Sequence, residues 1–236
     1  DDKTFSDGMA EVIKYGCIRD RAFFDFLCAH SSRAAVMEHI DSVLYTCCDI
    51  KRQVVVEDER DTGVRMILNF GHTVGHAFEK AGGYETWTHG QAVAAGMVAA
   101  ERLGAALGVS DGDGFSELLE VLSAFGLPTH IDCDWSAIVE AVGLDKKGDG
   151  EAITMLFLSH MGRALPMKMK KEDVLQNLAH VCGRQADMDI TIAPRLLKGR
   201  ITPPPSKSQA HRALIAAALA GGGSRIENLA DSQDIQ

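Results

Sequence analysis

The stretch Asn69-Phe70-Gly71-His72-Thr73-Val74-Gly75-His76-Ala77-Phe78-Glu79, followed by His89-Gly90, carries the strongest signal in the chain. His72 and His76 are four residues apart, so both imidazoles share one face if the segment is helical. His89 follows after twelve further residues, which is room for a turn and a new helix. Histidines at this spacing suit Zn²⁺ or another borderline divalent metal. A pair at helical spacing is more often a packing or capping pair, so the surrounding residues have to decide.

Hydrophobic periodicity predicts a mainly helical domain around this stretch. Helical patterns span 8–50, 47–58, 65–80, 89–107, 115–125, 135–142 and 172–182. In the second of these we expect Val54, Val55 and Val56 to be packed, and Gly82-Gly83 ends the helix that carries His72 and His76. Residues 153–158 and 163–169 predict a β-hairpin.

The pattern changes at about residue 185. Residues 189–193 and 224–229 predict strands, and an Ala-rich helix is expected at 208–219 between them. The sequence therefore predicts a mainly α fold with two parts. Residues 1–184 form a helical metal-binding domain with a small β-hairpin, and residues 185–236 form a short β-α-β fragment.

Composition excludes several classes of function. The net charge of −9 argues against a nucleic-acid surface, which needs clustered Lys and Arg. Apolar runs are too short to cross a bilayer, and the start of the chain has neither a signal peptide nor an initiator Met, so we expect an internal piece of a longer, non-membrane protein. Six Cys without a CxxC pair predict free thiols in a reducing cytoplasm.

Charged and polar residues accompany the histidines at helical spacing. Glu11 and Lys14 are three residues apart, and the predicted 65–80 helix places a cation, an amide and two imidazoles on one face, namely Arg65, Asn69, His72 and His76. One carboxylate and two His would leave a zinc coordination position open for substrate, as catalytic zinc requires. Arg65 and Lys51 could clamp a carboxylate or a phosphate.

These residues lie in motifs that resemble the C-terminal helical domain of 3-dehydroquinate synthase. The matching motifs, over about residues 1–180, are GMAEVIKYG (8–16), Lys51 with DER (58–60), RxxLNFGHTxGHA (65–77), HGxAVxxGM (89–97) and DKK (145–147). The resemblance implies a lyase of the shikimate pathway that depends on Zn²⁺ (or Co²⁺) and NAD⁺. That enzyme converts a small sugar phosphate, 3-deoxy-D-arabino-heptulosonate 7-phosphate, to 3-dehydroquinate and phosphate. It also implies a homodimeric parent protein.

The resemblance assigns roles by position. It implies that Glu11, His72 and His89 are the metal ligands, whereas spacing alone favours His72 with His76. His76, with Lys146 or Lys147, would contact the substrate phosphate. The remaining substrate and catalytic positions would be Lys14, Lys51, Asp61, Arg65 and Asn69. Two residues depart from the family pattern, because Asp61 and Gln91 stand where the family usually has Glu.

The tail carries a second resemblance. Ser and Lys at the start of a helix bind anions readily, although such residues also cap ordinary surface helices. Residues 205–214 together with 228–234 resemble the beginning of 3-phosphoshikimate 1-carboxyvinyltransferase (EPSP synthase), except that Pro205 replaces a usual Gly. This resemblance implies substrate contacts by Lys207, Ser208 and Arg212, and an acidic active-site residue at Asp234. Both enzymes serve one pathway, so we expect a fused parent with a junction at 184–190.

Other functions remain open at the level of sequence. Related cyclases that make inosose or valiolone rings share the zinc residues, and iron-dependent polyol dehydrogenases use an Asp with three His. The chain could also be a non-catalytic fragment. A GxGxxG dinucleotide fingerprint is missing upstream of residue 186, so we expect a separate N-terminal domain to bind NAD⁺, and this chain alone to be inactive.

Overall fold

The computed structural model describes residues 1–60, 63–83, 86–130, 137–138, 141 and 152–182, which are mainly α-helical. The α-helices are α1 (Asp2–Arg19), α2 (Arg21–Ala29), α3 (Arg33–Glu38), α4 (Ile40–Glu57), α5 (His72–Ala81), α6 (His89–Ala106), α7 (Phe115–Ala124) and α8 (Lys171–Cys182). A 3₁₀ helix spans Val64–Asn69, and β1 (Ala152–His160) and β2 (Arg163–Lys170) form an antiparallel hairpin. The predicted mainly α class and its hairpin are confirmed.

The chain divides into two units, Asp1–Ala186 and Asp187–Gln236, and the described residues all belong to the first. Several sequence predictions fall outside the described residues: the β-α-β fragment, most of the 135–142 helix, Asp61, Lys146, Lys147, Lys207, Ser208, Arg212 and Asp234. The predicted domain boundary at 184/185 stays a prediction.

Helix α6 is the centre of the described unit, because thirteen of its eighteen residues are buried. A helix that is apolar all round needs neighbours on every side. On one side Val93 and Met97 join a core built from α1, α2 and α4. On the other side Ala99 and Leu103 join a core built from α5, α8 and the hairpin. The Ala-rich composition of 89–107 therefore reflects burial on all sides.

Glycines let α5 and α6 approach each other at backbone distance. A Cβ placed on Gly96 would lie 1.9 Å from the carbonyl oxygen of Gly71. Because that oxygen is a backbone atom, no change of side-chain rotamer could relieve the overlap. Gly71 itself has φ +80°, a left-handed conformation that favours glycine. This contact fixes the position of the first turn of α5, where His72 lies, against the middle of α6.

The prediction of one helix over 65–80 is wrong. Residues Val64–Asn69 form a 3₁₀ helix, the chain turns at Phe70 and Gly71, and α5 begins at His72. The left-handed Gly71 breaks the helix because its backbone must turn to meet α6. Arg65 and Asn69 therefore do not share a helix with His72 and His76, and the predicted common face of these four residues does not exist.

The predicted 47–58 helix is also corrected at its start, since it is part of the longer α4 that begins at Ile40. Val54 is fully buried, as predicted, but Val56 is 70% exposed. Helix α4 packs against α1 and the 3₁₀ helix through one face only, so the three consecutive valines cannot all be covered.

The hairpin strand β1 is buried on both faces. Leu156 and Leu158 belong to the core around α1, and Met155 and Phe157 belong to the core around α5. Successive side chains of a strand point to opposite faces, so β1 separates the two cores, and its sequence alternates weakly for that reason. The turn is attached to α1, because the backbone N–H of Gly162 donates to the carbonyl of Cys17 at 2.8 Å.

A buried carboxyl group links α6 to this strand. Glu101 is only 3% exposed, and its Oε1 accepts hydrogen bonds from the backbone N–H of Leu158 at 3.2 Å and from the Ser110 hydroxyl at 3.4 Å. Burial raises the pKa of Glu101 to about 7, although both hydrogen bonds oppose the shift. The carboxyl group is therefore protonated in the folded chain over much of the range in which an unfolded Glu is ionised.

We expect Gly96→Ala to lower the free energy of unfolding by ~3 kcal/mol or more, because its Cβ overlaps the backbone of Gly71. Gly8→Ala is the matched control. Gly8 lies inside α1 with no atom near its Cβ position, so Ala should stabilise the helix by ~0.5–1 kcal/mol. Urea denaturation of both variants measures the pair. Equal effects of the two substitutions would contradict the close packing of α5 on α6.

The stability of the folded chain should decrease as the pH rises to the pKa of Glu101. The folded chain binds the Glu101 proton more tightly than the unfolded chain does, so this contribution to stability is full below about pH 4.5 and is lost as pH rises to about 7. The loss is on the order of 3 kcal/mol by pH 8. Glu101→Gln keeps an acceptor oxygen and should remove this decline, so the variant should be more stable than wild type at pH 8. Urea denaturation at pH 5 and 8 with chelator tests this, and Glu120→Gln, on the exposed face of α7, should keep the wild-type profile.

Candidate metal centre

Glu11 and Lys14 form a half-buried ion pair on α1. Lys14 Nζ lies 2.5 Å from Glu11 Oε2, and Lys14 is 3% exposed. Burial lowers the pKa of Lys14, the Glu11 charge opposes that shift, and the nearby Lys51 charge adds to it. The other carboxylate oxygen, Glu11 Oε1, is buried and has no hydrogen-bond partner among the described residues. A buried carboxylate oxygen without a partner is costly, which indicates that something else binds there.

His72 faces that oxygen from the first turn of α5. Its Nδ1 donates to the carbonyl of Phe70 at 3.2 Å, which leaves the lone pair on Nε2, 3.4 Å from Glu11 Oε1. Burial lowers the pKa of His72, and the Lys14 charge lowers it further, against the opposing effects of Phe70 and Glu11. The imidazole is therefore neutral at pH 7, which is the form that binds a metal.

His89 approaches from the first residue of α6. Its Nε2 lies 3.7 Å from Glu11 Oε1, and its Nδ1 lies 3.1 Å from Glu79 Oε1 on α5. The carboxylate can only accept, so Nδ1 carries a proton, and in the neutral imidazole the lone pair is then on Nε2. The start of α6 rests on α1, because a Cβ on Gly90 would lie 2.4 Å from the Cα of Asp7. Asp7 also accepts a hydrogen bond from the Thr88 hydroxyl, so α1 positions both Glu11 and His89.

The three donors have the spacing of metal ligands. The ligand atoms of Glu11, His72 and His89 all lie within 4.8 Å of one another. Tetrahedral zinc with bonds of about 2.0–2.2 Å places its ligands about 3.3–3.6 Å apart, close to the 3.4 Å and 3.7 Å seen from Glu11 Oε1. Three lone-pair donors that face one another repel unless a cation or protons lie between them. These residues therefore fit a divalent metal.

His76 lies beside this group but outside the set of three. Its ring centroid is 5.5 Å from that of His72 and 6.3 Å from that of His89. It belongs to a second possible set, with Glu79 and His89, on the exposed side. Among the described residues, His72 and His76 do not occur together in such a set, so the pairing favoured by spacing alone is not the one that the fold brings together.

Three further predicted site residues lie on elements that pack against α1. Lys51 is exposed on α4 and is close enough to influence the pKa of Lys14. Arg65 and Asn69 lie on the 3₁₀ helix, which packs against α1 and α4. Asp58 holds this helix in place, because its Oδ2 accepts from the backbone N–H groups of Gly63 at 2.7 Å and of Arg65 at 3.0 Å.

Sequence reasoning assigned no role to Glu79, Asp58 or Asp7. The sequence could have identified Glu79, because it lies three residues after His76 and seven after His72, on the same face of a helix. The sequence gives no comparable signal for Asp7 and Asp58. Asp7 accepts from Thr88, which is remote in sequence, and Asp58 accepts from Gly63, which follows a turn.

Comparison with known families agrees with this geometry. Residues 8–148, more than half of the chain, match the family model described as 3-dehydroquinate synthase C-terminal. The chain belongs to this family. Residues 192–236 match the family model of EPSP synthase (3-phosphoshikimate 1-carboxyvinyltransferase). Both resemblances inferred from the motifs are thus confirmed.

Curated relatives bear the name of the same enzyme. The chain is 40% identical over 172 residues to 3-dehydroquinate synthase from Clostridium beijerinckii, a match that covers 72% of this chain and 49% of the relative. It is 39% identical over 173 residues to the enzyme from Streptococcus gordonii, with 70% and 48% covered. The chain therefore spans about half the length of the curated relatives it matches.

Solved structures share the fold. A 2-deoxy-scyllo-inosose synthase complexed with carbaglucose-6-phosphate, NAD⁺ and Co²⁺ superposes with a TM-score of 0.65 at 23% identity, over 77% of this chain and 53% of that one. The 2-epi-5-epi-valiolone synthase from Streptomyces hygroscopicus subsp. jinggangensis 5008, with NAD⁺ and Zn²⁺ bound, gives 0.63 at 20% identity, over 78% and 52%. Among the described residues of our chain, every helix is too short or too polar to cross a membrane.

Gln91, which departs from the usual Glu of the family, has a structural role that either residue can fill. Its Oε1 accepts from the backbone N–H of Thr88 at 3.1 Å, and the Thr88 hydroxyl accepts from the Gln91 N–H at 3.3 Å, which is a capping box. We expect Gln91→Glu to leave the thermal midpoint of the metal-free chain nearly unchanged and Gln91→Ala to cost ~0.5–1 kcal/mol. Thermal unfolding followed by circular dichroism measures both. An unchanged midpoint in Gln91→Ala would mean that the capping box does not stabilise α6.

Proposed function

We propose that this chain is the metal-binding half of a 3-dehydroquinate synthase, which converts 3-deoxy-D-arabino-heptulosonate 7-phosphate to 3-dehydroquinate and phosphate. The observation that supports it most is the convergence of Glu11 Oε1 and two imidazole Nε2 atoms on one point, with the carboxylate oxygen buried and otherwise without a partner. Glu11, His72 and His89 would hold Zn²⁺ or Co²⁺ there.

A divalent metal held by these residues would lower the pKa of a bound substrate hydroxyl and so assist its oxidation by NAD⁺. Lys14 donates to the second oxygen of Glu11 and so places a positive charge against this half-buried carboxylate. The Phe70 carbonyl and the Glu79 carboxylate keep the Nδ1 protons of the two histidines away from the metal position. The protein thus presents one carboxylate and two imidazoles in a fixed arrangement.

Substrate anions would bind on the exposed side of this centre. His76 is exposed next to His89, and Lys51 is exposed on α4 near Lys14, so both can reach a ligand. We assign the substrate phosphate to His76 with Lys146 and Lys147, and the carboxylate and hydroxyls to Lys14, Lys51, Arg65, Asn69 and the Asp61 carboxylate. The compact ammonium groups of the lysines and the planar guanidinium of Arg65 would contact the substrate from several directions. Together they would hold it in one conformer, which a multistep reaction at one site requires.

NAD⁺ would be bound by the half of the enzyme that this chain does not contain. The chain spans about half the length of its curated relatives and carries no GxGxxG fingerprint upstream of residue 186. The EPSP synthase match at 192–236 supports a parent protein in which the two enzymes are fused, with Lys207, Ser208, Arg212 and Asp234 as substrate-binding residues of the second enzyme. We further propose that this parent is a cytoplasmic homodimer.

The reaction can be tested by combining the purified chain with the nucleotide-binding half of a 3-dehydroquinate synthase, NAD⁺ and Zn²⁺. We expect formation of 3-dehydroquinate and release of phosphate, both abolished by a chelator. Glu11→Ala, His72→Ala and His89→Ala should each lower the rate at least ~10³-fold, because each removes a ligand of the catalytic metal. Glu120→Gln, an exposed carboxylate on α7, is the control and should keep the wild-type rate.

The same assay separates the related cyclases. If a hexose 6-phosphate is cyclised and the heptulosonate phosphate is not, the substrate assignment is wrong while the metal site stands. If neither substrate reacts although the chain binds zinc, a non-catalytic role is favoured. A chain that binds no zinc would remove the basis of the proposed function.

A further inference from the structure

Packing alone does not fix the orientation of the His89 imidazole in the metal centre. Its side chain is 51% exposed, whereas that of His72 is 13% exposed. A half-exposed imidazole on the first residue of a helix can rotate among several staggered conformers. Packing therefore fixes His72 but does not fix His89, and some directed interaction must hold its Nε2 toward Glu11.

Glu79 provides that interaction. Its carboxylate is 15% exposed and lies on α5, seven residues after His72, with Oε1 3.1 Å from His89 Nδ1. This side of the imidazole is opposite Nε2, which lies 3.7 Å from Glu11 Oε1. A carboxylate that accepts from the outer nitrogen of a histidine fixes both the ring orientation and the tautomer, and it increases the electron density at the inner nitrogen.

We propose that Glu79 is a positioning residue that holds His89 in its Nδ1–H tautomer with Nε2 directed at the metal. This inference rests on the proposed metal site and extends it by one residue. It explains why α5 supplies a carboxylate as well as an imidazole to the centre, and why His89 needs no burial to act as a ligand. Helix α5 thus contributes to two ligands, to His72 directly and to His89 through Glu79.

The geometry also allows a competing arrangement. His76, Glu79 and His89 have ligand atoms close enough to hold a metal themselves, with Glu79 bound directly to it. Two observations favour the positioning role. Glu11 Oε1 is buried without a hydrogen-bond partner among the described residues, so it is available to bind a metal on the inner side of His89. His76 is exposed, so packing fixes its position less than it fixes that of the half-buried Glu11.

The first measurement is made on the metal-free chain, where it reads the tautomer directly. Two-bond ¹H–¹⁵N correlation spectra of the imidazoles, with the His89 signals identified from a His89→Ala sample, should show Nδ1 protonated in wild type. In Glu79→Ala the Nδ1–H preference of His89 should be lost, while His72 should keep its own, because Phe70 holds it. An unchanged His89 tautomer in Glu79→Ala would overturn the proposal.

The second measurement is zinc affinity by calorimetry. Glu79→Ala should weaken binding ~10–100-fold, Glu79→Gln, which keeps an acceptor but loses the charge, should lie between it and wild type, and Glu120→Gln should match wild type. The thermal midpoints of the metal-free variants should agree, which excludes general unfolding as the cause. Wild-type affinity in Glu79→Ala would overturn the proposal.

Two further variants distinguish failure of this inference from failure of the proposed function. Glu11→Ala should abolish stoichiometric binding and His76→Ala should spare it. If Glu11→Ala abolishes binding and the Glu79 variants bind normally, the function stands and the positioning role falls. If Glu11→Ala binds normally while Glu79→Ala and His76→Ala do not, the metal lies in the exposed set, and both proposals fall.

Discussion

The backbone contacts that α6 makes with α5 and α1 are the constraint on which the rest of the described unit depends. Gly96 lies against the carbonyl of Gly71, and Gly90 lies against the backbone of Asp7, in both cases too closely for any side chain. Contacts of this kind allow almost no sliding, because the atoms involved are main-chain atoms that cannot change rotamer. They set α5 and α1 against the same helix, and so bring together Glu11, His72 and His89, which are up to 78 residues apart in sequence (11 to 89).

The electrostatic arrangement of the centre follows from that packing. Glu11 and Glu79 bring two negative charges near His72 and His89, and among the described Lys and Arg residues only Lys14 forms an ion pair with either of them. Burial makes the Lys14 charge costly, as the lowered pKa of Lys14 shows, and the ion pair with Glu11 offsets that cost. The remaining negative charge and the two inward lone pairs favour a cation. A divalent metal would therefore complete a charge balance that the protein leaves open on one side.

Sequence reasoning was successful where a feature is local and failed where it depends on a distant segment. The hairpin, α6 and α7 follow from periodicity and from glycines at their ends. The motifs in their fixed order, rather than the spacing, named Glu11, His72 and His89, the three side chains that the fold brings together. The break at Gly71 was missed because its cause is the approach of Gly96, 25 residues later, which no pattern in 65–80 records. The exposure of Val56 was missed for a similar reason, since three adjacent valines look alike until one knows which face of α4 meets α1 and the 3₁₀ helix.

The residues proposed to bind the metal and those proposed to bind the substrate differ in burial. Lys14 is buried and His72 nearly so, and they lie with the Glu11 oxygen on the inner side of the centre, so the described unit itself should form the metal site. His76, His89 and Lys51 lie on the outer side and are exposed, where water would compete for the substrate anions. The reaction proposed above would form reactive carbonyl and enol intermediates, which need water excluded from that side as well. Since the chain spans about half of each curated relative, the cover would come from the other half. If the proposed function is correct, metal affinity should be a property of this unit and turnover a property of the two halves together.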